Sequence, residues 1–153
     1  MRSNGMEHKK LVTAALAARE KAYTPYAKFQ VGAALLGKSG KIYPGCNVEC
    51  ASYSPTNCAE RTAFFRAVSE GERAFTAIAI VGGPEGKPVE SLCPPCGVCR
   101  QVMMEFCDPD IFQIILADSP DHWQVHTLRE LLPLGFGPAN ISGGKEEESH
   151  ENV

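Results

Sequence analysis

Apolar residues recur at helical spacing near the start of the chain: Leu11, Ala15, Ala18 and Ala22, with Val12 and Leu16 beside them. Three- and four-residue steps of this kind mark one face of a helix, so the spacing predicts a first helix from Glu7 to Tyr23. Thr24-Pro25 ends it, because the residue before proline avoids the helical region. The period then changes. Phe29, Val31, Ala33 and Leu35 alternate as in a strand, Gly37-Lys38-Ser39-Gly40 is a turn, and Lys41 to Tyr43 begins a returning strand. Gly45 to Thr56 reads as the end of that strand and a loop.

A second helix is predicted from about Cys58 to Ser69, with Ala59, Ala63 and Ala67 on one face and Gly71 as its stop. Thr76 to Val81 is a short apolar run, the pattern of a strand buried on both faces. A glycine- and proline-rich loop, Gly82 to Ser91, leads to a third helix from Pro95/Cys96 to Phe106. Ile111 to Ala117 is a fourth strand, Asp118 to Asp121 a turn, and Trp123 to His126 a fifth strand. Thr127-Leu128-Arg129-Glu130 has capping-box form and opens a short helix. The helical connections predict that strands two, three and four run parallel, while the two tight links make strands one and two, and four and five, antiparallel. The expected fold is therefore α/β, with a mixed five-stranded sheet and helices against it. Trp123 and Phe64, Phe65, Phe75, Phe106 and Phe112 are expected in the core. His8 and His150 are expected in tails, and His122 and His126 on or beside the last strand. Residues 1–141 read as one domain; 142–153 are glycine- and glutamate-rich and are expected to be disordered.

Composition narrows the function. The chain has 153 residues and a net charge of −3 with no basic run, which disfavours a nucleic acid polymer as partner. No apolar run is long enough to span a membrane. Met1 to Lys10 is polar and has no apolar signal region, so the expected location is the cytoplasm. In that setting seven cysteines read as metal ligands and free thiols rather than a disulfide framework.

Four of these residues carry a chemical pattern. Cys58-Ala59-Glu60 and Pro95-Cys96-Gly97-Val98-Cys99 together spell C-x-E…P-C-x-x-C. Zn²⁺ takes thiolate readily, and a catalytic site uses three protein ligands and keeps a position open for water, whose proton affinity the metal lowers. Glu60 stands two residues after the first ligand, where it can move protons. All three cysteines fall at predicted helix starts, where the helix field and free N–H groups favour thiolate. Three thiolates leave the site negative, and Arg61 and Arg100, each beside a ligand, are both candidates to offset that charge. Two plainer readings stay open. With Asn57 as N-cap, Glu60 would sit at N3 and complete a capping box. Cys93, Cys96 and Cys99 form C-x-x-C-x-x-C, which with Cys58 would close a structural four-sulfur site. Cys46, Cys50 and Cys107 read as small buried residues. In the loop, Asn47 and Glu49 share one face of an extended segment, as a turn pair or as a hydroxyl-binding pair.

The C-x-E…P-C-x-x-C pattern is that of the zinc deaminases, with cysteine at the first position. From about residue 9 to 141 the chain resembles the small zinc-dependent cytidine deaminases that act on free nucleosides. The likeness rests on Phe29 to Leu36, Gly45-Cys46-Asn47-Val48-Glu49, Cys58 to Ala63, Pro95 to Gln101, and Glu130-Leu131-Leu132-Pro133 followed by Phe136-Gly137-Pro138. The resemblance implies a three-layer α/β/α fold, one zinc per subunit and a homotetramer whose sites are shared between copies. It implies Asn47 and Glu49 on the ribose 3′-hydroxyl, Phe29 near the base, Arg61 as the moderating arginine, and Ala51, Tyr53 and Phe136 reaching a neighbour's substrate. The backbone N–H of Ala59 is then a candidate donor to the base carbonyl. Three positions depart from the family pattern: Cys50 stands where asparagine is usual, Ser54 where proline is usual, and Pro94 where serine is common. A nucleoside antibiotic such as blasticidin S, or a nucleotide, is the alternative substrate.

Overall fold

The computed structural model describes residues 4–142. Of the tail expected at 142–153, only Ser142 is described, as the last residue of a helix; the rest, with His150, lies outside the described residues. The elements in chain order are α1 (Asn4–Arg19), β1 (Phe29–Gly37), β2 (Ile42–Cys46), α2 (Ala59–Ser69), β3 (Phe75–Pro84), α3 (Gly97–Phe106), β4 (Gln113–Ser119), β5 (His122–Thr127), α4 (Leu128–Leu131) and α5 (Pro138–Ser142). No helix among the described residues is long and apolar enough to cross a membrane.

The strands form one five-stranded sheet in the order β2-β1-β3-β4-β5. β1 is antiparallel to both β2 and β3, β3 is parallel to β4, and β4 is antiparallel to β5. β2, β3 and β4 thus share a direction, as their helical connections predict, but β2 and β3 are not neighbours. The tight turn after β1 keeps β1 paired with β2, so the chain leaving α2 places β3 on the other edge of β1.

Strands β1, β3 and β4 are buried on both faces along most of their length. Ala33, Leu35, Ile78, Ile80, Ile114 and Leu116 point to the side covered by α2 and α3. Ala34, Leu36, Ala77, Ala79, Ile115 and Ala117 point to α1, meeting Leu11, Val12 and Ala15. The result is three layers, α/β/α. β1 is therefore buried on both sides, although its larger side chains alternate as in a half-exposed strand.

Two helices approach the sheet unusually closely, each over a glycine. A Cβ on Gly32 would stand 2.0 Å from the Ala15 carbonyl oxygen in α1, and one on Gly45 would stand 2.4 Å from the Ala59 oxygen and 2.6 Å from the Ala63 nitrogen in α2. Aromatic packing fixes the same layer from within. Phe64 of α2 meets Phe75 of β3 at 5.1 Å between ring centroids and stacks on Phe106 of α3 at 6.1 Å. This cluster ties both helices that carry the C-x-E and C-x-x-C residues to the sheet.

Several expectations change. α1 stops at Arg19, not Tyr23, because Tyr23 is drawn into an extended bridge: its N–H donates to the Asn47 carbonyl, and its own carbonyl accepts from Glu49 N–H. Phe65 is 47% exposed, while its neighbour Phe64 fills the core. His8 is buried in α1, with Nε2 3.0 Å from Gln113 Oε1 and its ring edge-on to Trp123. Ile111, expected in the fourth strand, is exposed and precedes it. Cys107 is buried as expected, but Cys46 and Cys50 are only half-buried. Thr127 and Glu130 form the capping box that their spacing predicts.

Gly45→Ala should cost about 1–3 kcal/mol in denaturant unfolding, since α2 must retreat from the sheet. Gly5→Ala, where an added Cβ meets nothing, should change stability by less than about 0.5 kcal/mol.

Candidate metal centre and active site

α2 and α3 converge at their N-termini, and each is capped by a cysteine in extended conformation: Cys58 before α2, Cys96 before α3. The Cys96 sulfur accepts from Cys99 N–H at 3.5 Å. The Sγ atoms of Cys58, Cys96 and Cys99 all lie within 4.8 Å of one another. Cys58 and Cys96 are 3.7 Å apart at sulfur, and Cys96 and Cys99 3.5 Å. Sulfurs at ~2.3 Å from a tetrahedral zinc would be ~3.8 Å apart, so the donor set fits zinc in both chemistry and spacing. Cys99 is buried and Cys96 exposed, so the cluster opens to one side.

Cys93 lies outside this three-sulfur group. Its sulfur packs instead against Gly82 of β3, where an added Cβ would stand 2.8 Å away. Burial first, and then the Glu60 and Cys58 charges, push its thiol up to about 11.

Charge around the sulfurs is organised by one thiolate. Hydrogen bonding from the Cys99 thiol, and from Arg61, draws Cys58 down to about 5 against the opposing effect of burial. The bond to Cys58, with burial, in turn holds the Cys99 proton firmly. Arg61 Nη2 donates to Cys58 Sγ at 3.2 Å. Arg100 is committed elsewhere, with Nε donating to the Pro95 carbonyl and Nη1 to the Leu131 carbonyl.

Glu60 is 4% exposed. Because Cys58 is the N-cap, Glu60 occupies N2 rather than N3, and the capping-box reading does not apply. Burial pushes its carboxyl up to about 7, against the pull of its own backbone N–H, with the Cys58 thiolate adding to the rise. A buried carboxyl titrating near neutrality beside three sulfur donors is suited to taking and returning protons.

A matching zinc-binding region spans most of the chain. Residues 6–115 match the family model described as the cytidine and deoxycytidylate deaminase zinc-binding region. The chain belongs to the cytidine deaminases. It is 48% identical over 142 residues to a cytidine deaminase of Sporosarcina psychrophila, covering 93% of this chain and all of that one. It is 50% identical over 131 residues to one of Halalkalibacterium halodurans, covering 86% and 95%. Among solved structures it is similar to cytidine deaminase from Burkholderia pseudomallei, with a TM-score of 0.76 and 47% identity over 84% of this chain and 98% of that one. The chain is thus a hydrolase of a zinc-dependent family.

Asn47 and Glu49 both bind the backbone of the segment that carries Phe29. Asn47 Nδ2 donates to the Phe29 carbonyl at 2.8 Å, and its Oδ1 accepts from Val31 N–H at 2.9 Å. Glu49 Oε1 accepts from the Tyr26 and Ala27 N–H groups at 3.0 and 3.1 Å. Phe29, whose carbonyl Asn47 holds, is 40% exposed. Ala59 opens α2, where first-turn N–H groups lack an intrahelical partner. Ala51, Tyr53 and Phe136 are exposed on the single chain. Tyr53 is turned outward at φ 64°, and the Phe136 carbonyl accepts from Gln101 Nε2 at 2.8 Å. Of the departures, Cys50 donates its N–H to Thr56 Oγ1, while Ser54 and Pro94 are exposed. Sequence reasoning missed Arg19: it is 5% exposed and bonded through its side chain to four backbone carbonyls. Nothing in its local sequence marks it.

Cys58→Ala and Cys99→Ala should abolish zinc retention and lower thermal stability, since bound metal contributes folding free energy. Cys93→Ser should retain zinc. Metal analysis after dialysis, with unfolding monitored in parallel, checks both.

Proposed function

We propose that this chain hydrolyses cytidine and 2′-deoxycytidine to uridine and 2′-deoxyuridine with release of ammonia, a step of pyrimidine salvage in the cytoplasm. The observation that carries the reading is Glu60, a buried carboxyl raised to about 7 beside three converging sulfurs. Zinc held by Cys58, Cys96 and Cys99 would supply a nucleophilic oxygen from water at neutral pH.

Glu60 takes one proton from the attacking water and delivers it to N3 of the base, which makes C4 electrophilic; it then collects the second proton from the hydroxyl added at C4 and gives it to the departing amine, so that the C4–N bond breaks, ammonia leaves and the C4 carbonyl forms. Arg61 lowers the charge that the thiolates place on the metal through its bond to Cys58. The Ala59 N–H donates to the base carbonyl, and Phe29 packs near the base. Asn47 and Glu49 hold the ribose 3′-hydroxyl. Each already binds backbone, which fixes its orientation while leaving a second amide hydrogen and further acceptor positions for the sugar. The catalytic unit is residues 1–141 in a homotetramer with one zinc per subunit. Ala51, Tyr53 and Phe136 of neighbouring copies close each site, and their exposure on the single chain supports that role.

Loss of cytidine absorbance on incubation with the zinc-loaded protein tests the reaction. Turnover of the monophosphates or blasticidin S in place of cytidine and deoxycytidine would contradict the substrate assignment. Glu60→Gln should keep fold and zinc and lose turnover by ~10²–10⁴-fold or more; a variant with more than about a tenth of normal activity would exclude the assigned role. Phe136→Ala should raise the cytidine KM or lower turnover. Sedimentation at assay concentration should give a tetramer, and a fully active monomer would contradict the shared site.

A further inference from the structure

We propose that Arg19 is a positioning residue for nucleoside binding, holding the segment Thr24–Val31 from the side opposite Asn47 and Glu49. The proposal rests on the reading above that Phe29, Asn47 and Glu49 meet the nucleoside.

Arg19 ends α1 and is 5% exposed. Its Nε donates to the Gln30 carbonyl at 3.0 Å; its Nη2 donates to the Gly83, Pro84 and Lys87 carbonyls at 3.1, 2.8 and 2.9 Å. One guanidinium thus joins α1, the start of β1, the end of β3 and the turn that follows. A planar fork with donors in fixed directions suits this, whereas an ammonium acts as a point charge. A buried charge costs desolvation that an apolar side chain of similar size would avoid, so the geometry it imposes is what distinguishes it from packing.

That geometry leads to the candidate substrate wall. Gln30 lies between Phe29 and Val31, the two residues that Asn47 grips. Successive carbonyls of a strand point to opposite edges, so Arg19 and Asn47 fix the same three residues from both sides. The turn held at Pro84 and Lys87 contributes a second grip. Glu85 Oε1 accepts from Thr24 Oγ1 at 2.8 Å, and Glu85 N–H donates to the Lys28 carbonyl at 2.8 Å. Lys28 is held at φ 57°, a left-handed conformation that a lysine keeps only where its surroundings impose it. Val31 also packs against Gly82, the residue facing Cys93. Removing the guanidinium would take one of the two grips from Phe29–Val31 and loosen the turn bearing Glu85, leaving the sulfurs and Glu60 in place.

The test uses zinc-loaded Arg19→Met and Arg19→Lys. Four readouts are compared: zinc content, kcat, KM for cytidine, and Kd for uridine by calorimetry. Arg19→Met should raise both KM and the uridine Kd by about tenfold or more, with kcat within about threefold and zinc unchanged. Arg19→Lys should fall between it and the parent, since an ammonium can bond the turn carbonyls but cannot also span to Gln30. Unchanged KM and Kd in Arg19→Met beside a lowered melting temperature would overturn the proposal. Should Arg19→Met fail to fold, an unchanged KM and Kd in Arg19→Lys would overturn it equally. Asn47→Ala separates the two readings. An unchanged uridine Kd there contradicts the nucleoside contacts themselves. A weakened Asn47→Ala beside a normal Arg19→Met contradicts Arg19 alone.

Discussion

The chemistry of this chain depends on two helix N-termini meeting over one sheet. α2 and α3 each begin at a cysteine, and helix starts carry the partial positive charge that favours thiolate. Neither helix would stand there on its own propensity. Glycine at position 45 lets α2 close on β2, and the rings of Phe64, Phe75 and Phe106 hold α2 and α3 to the sheet. The sulfur spacings of 3.7 Å between Cys58 and Cys96 and 3.5 Å between Cys96 and Cys99 follow from backbone packing rather than from the cysteines themselves. Arg61 and Glu60, carried on the same first turn of α2, then set the electrostatics: one donates to the Cys58 sulfur, the other is buried beside it.

A second arrangement frames that centre. The Thr24–Val31 segment has little regular structure before β1, yet nearly every turn of it is tied down. Asn47 and Glu49 bind its backbone on one side; Arg19 and Glu85 bind it on the other. Asn47 and Glu49, which the chain spends on its own backbone, are the same residues proposed to meet a nucleoside. This is economical physically, since a side chain already fixed by one hydrogen bond loses less freedom on making the next.

The C-x-x-C half of the metal motif was legible because Cys96 and Cys99 are close in sequence and their geometry is local: a C-x-x-C in the first turn of a helix places two sulfurs near each other wherever the helix goes, whereas Cys58 was joined to them by the pattern and not by spacing. The short antiparallel links were legible for the same reason. What escaped was set by distant partners. Tyr23 leaves the helix because Asn47 and Glu49 claim its backbone, and β1 enters between β2 and β3 because of pairing across the sheet. Phe64 and Phe65 are indistinguishable by composition until the helix phase is known, and the same one-residue uncertainty moved Glu60 between N2 and N3. Cys93 shares the spacing of Cys96 and Cys99, so only its packing against Gly82 separates it from them. Arg19 has no motif because its partners are all backbone carbonyls.

The proposed reaction requires an open metal site with three sulfur donors beside a protonatable carboxyl. Zinc K-edge X-ray absorption of the zinc-loaded protein addresses it without relying on turnover. Three sulfurs at ~2.3 Å and one oxygen at ~2.0 Å are expected. Four sulfurs at ~2.3 Å, with no oxygen, would contradict it.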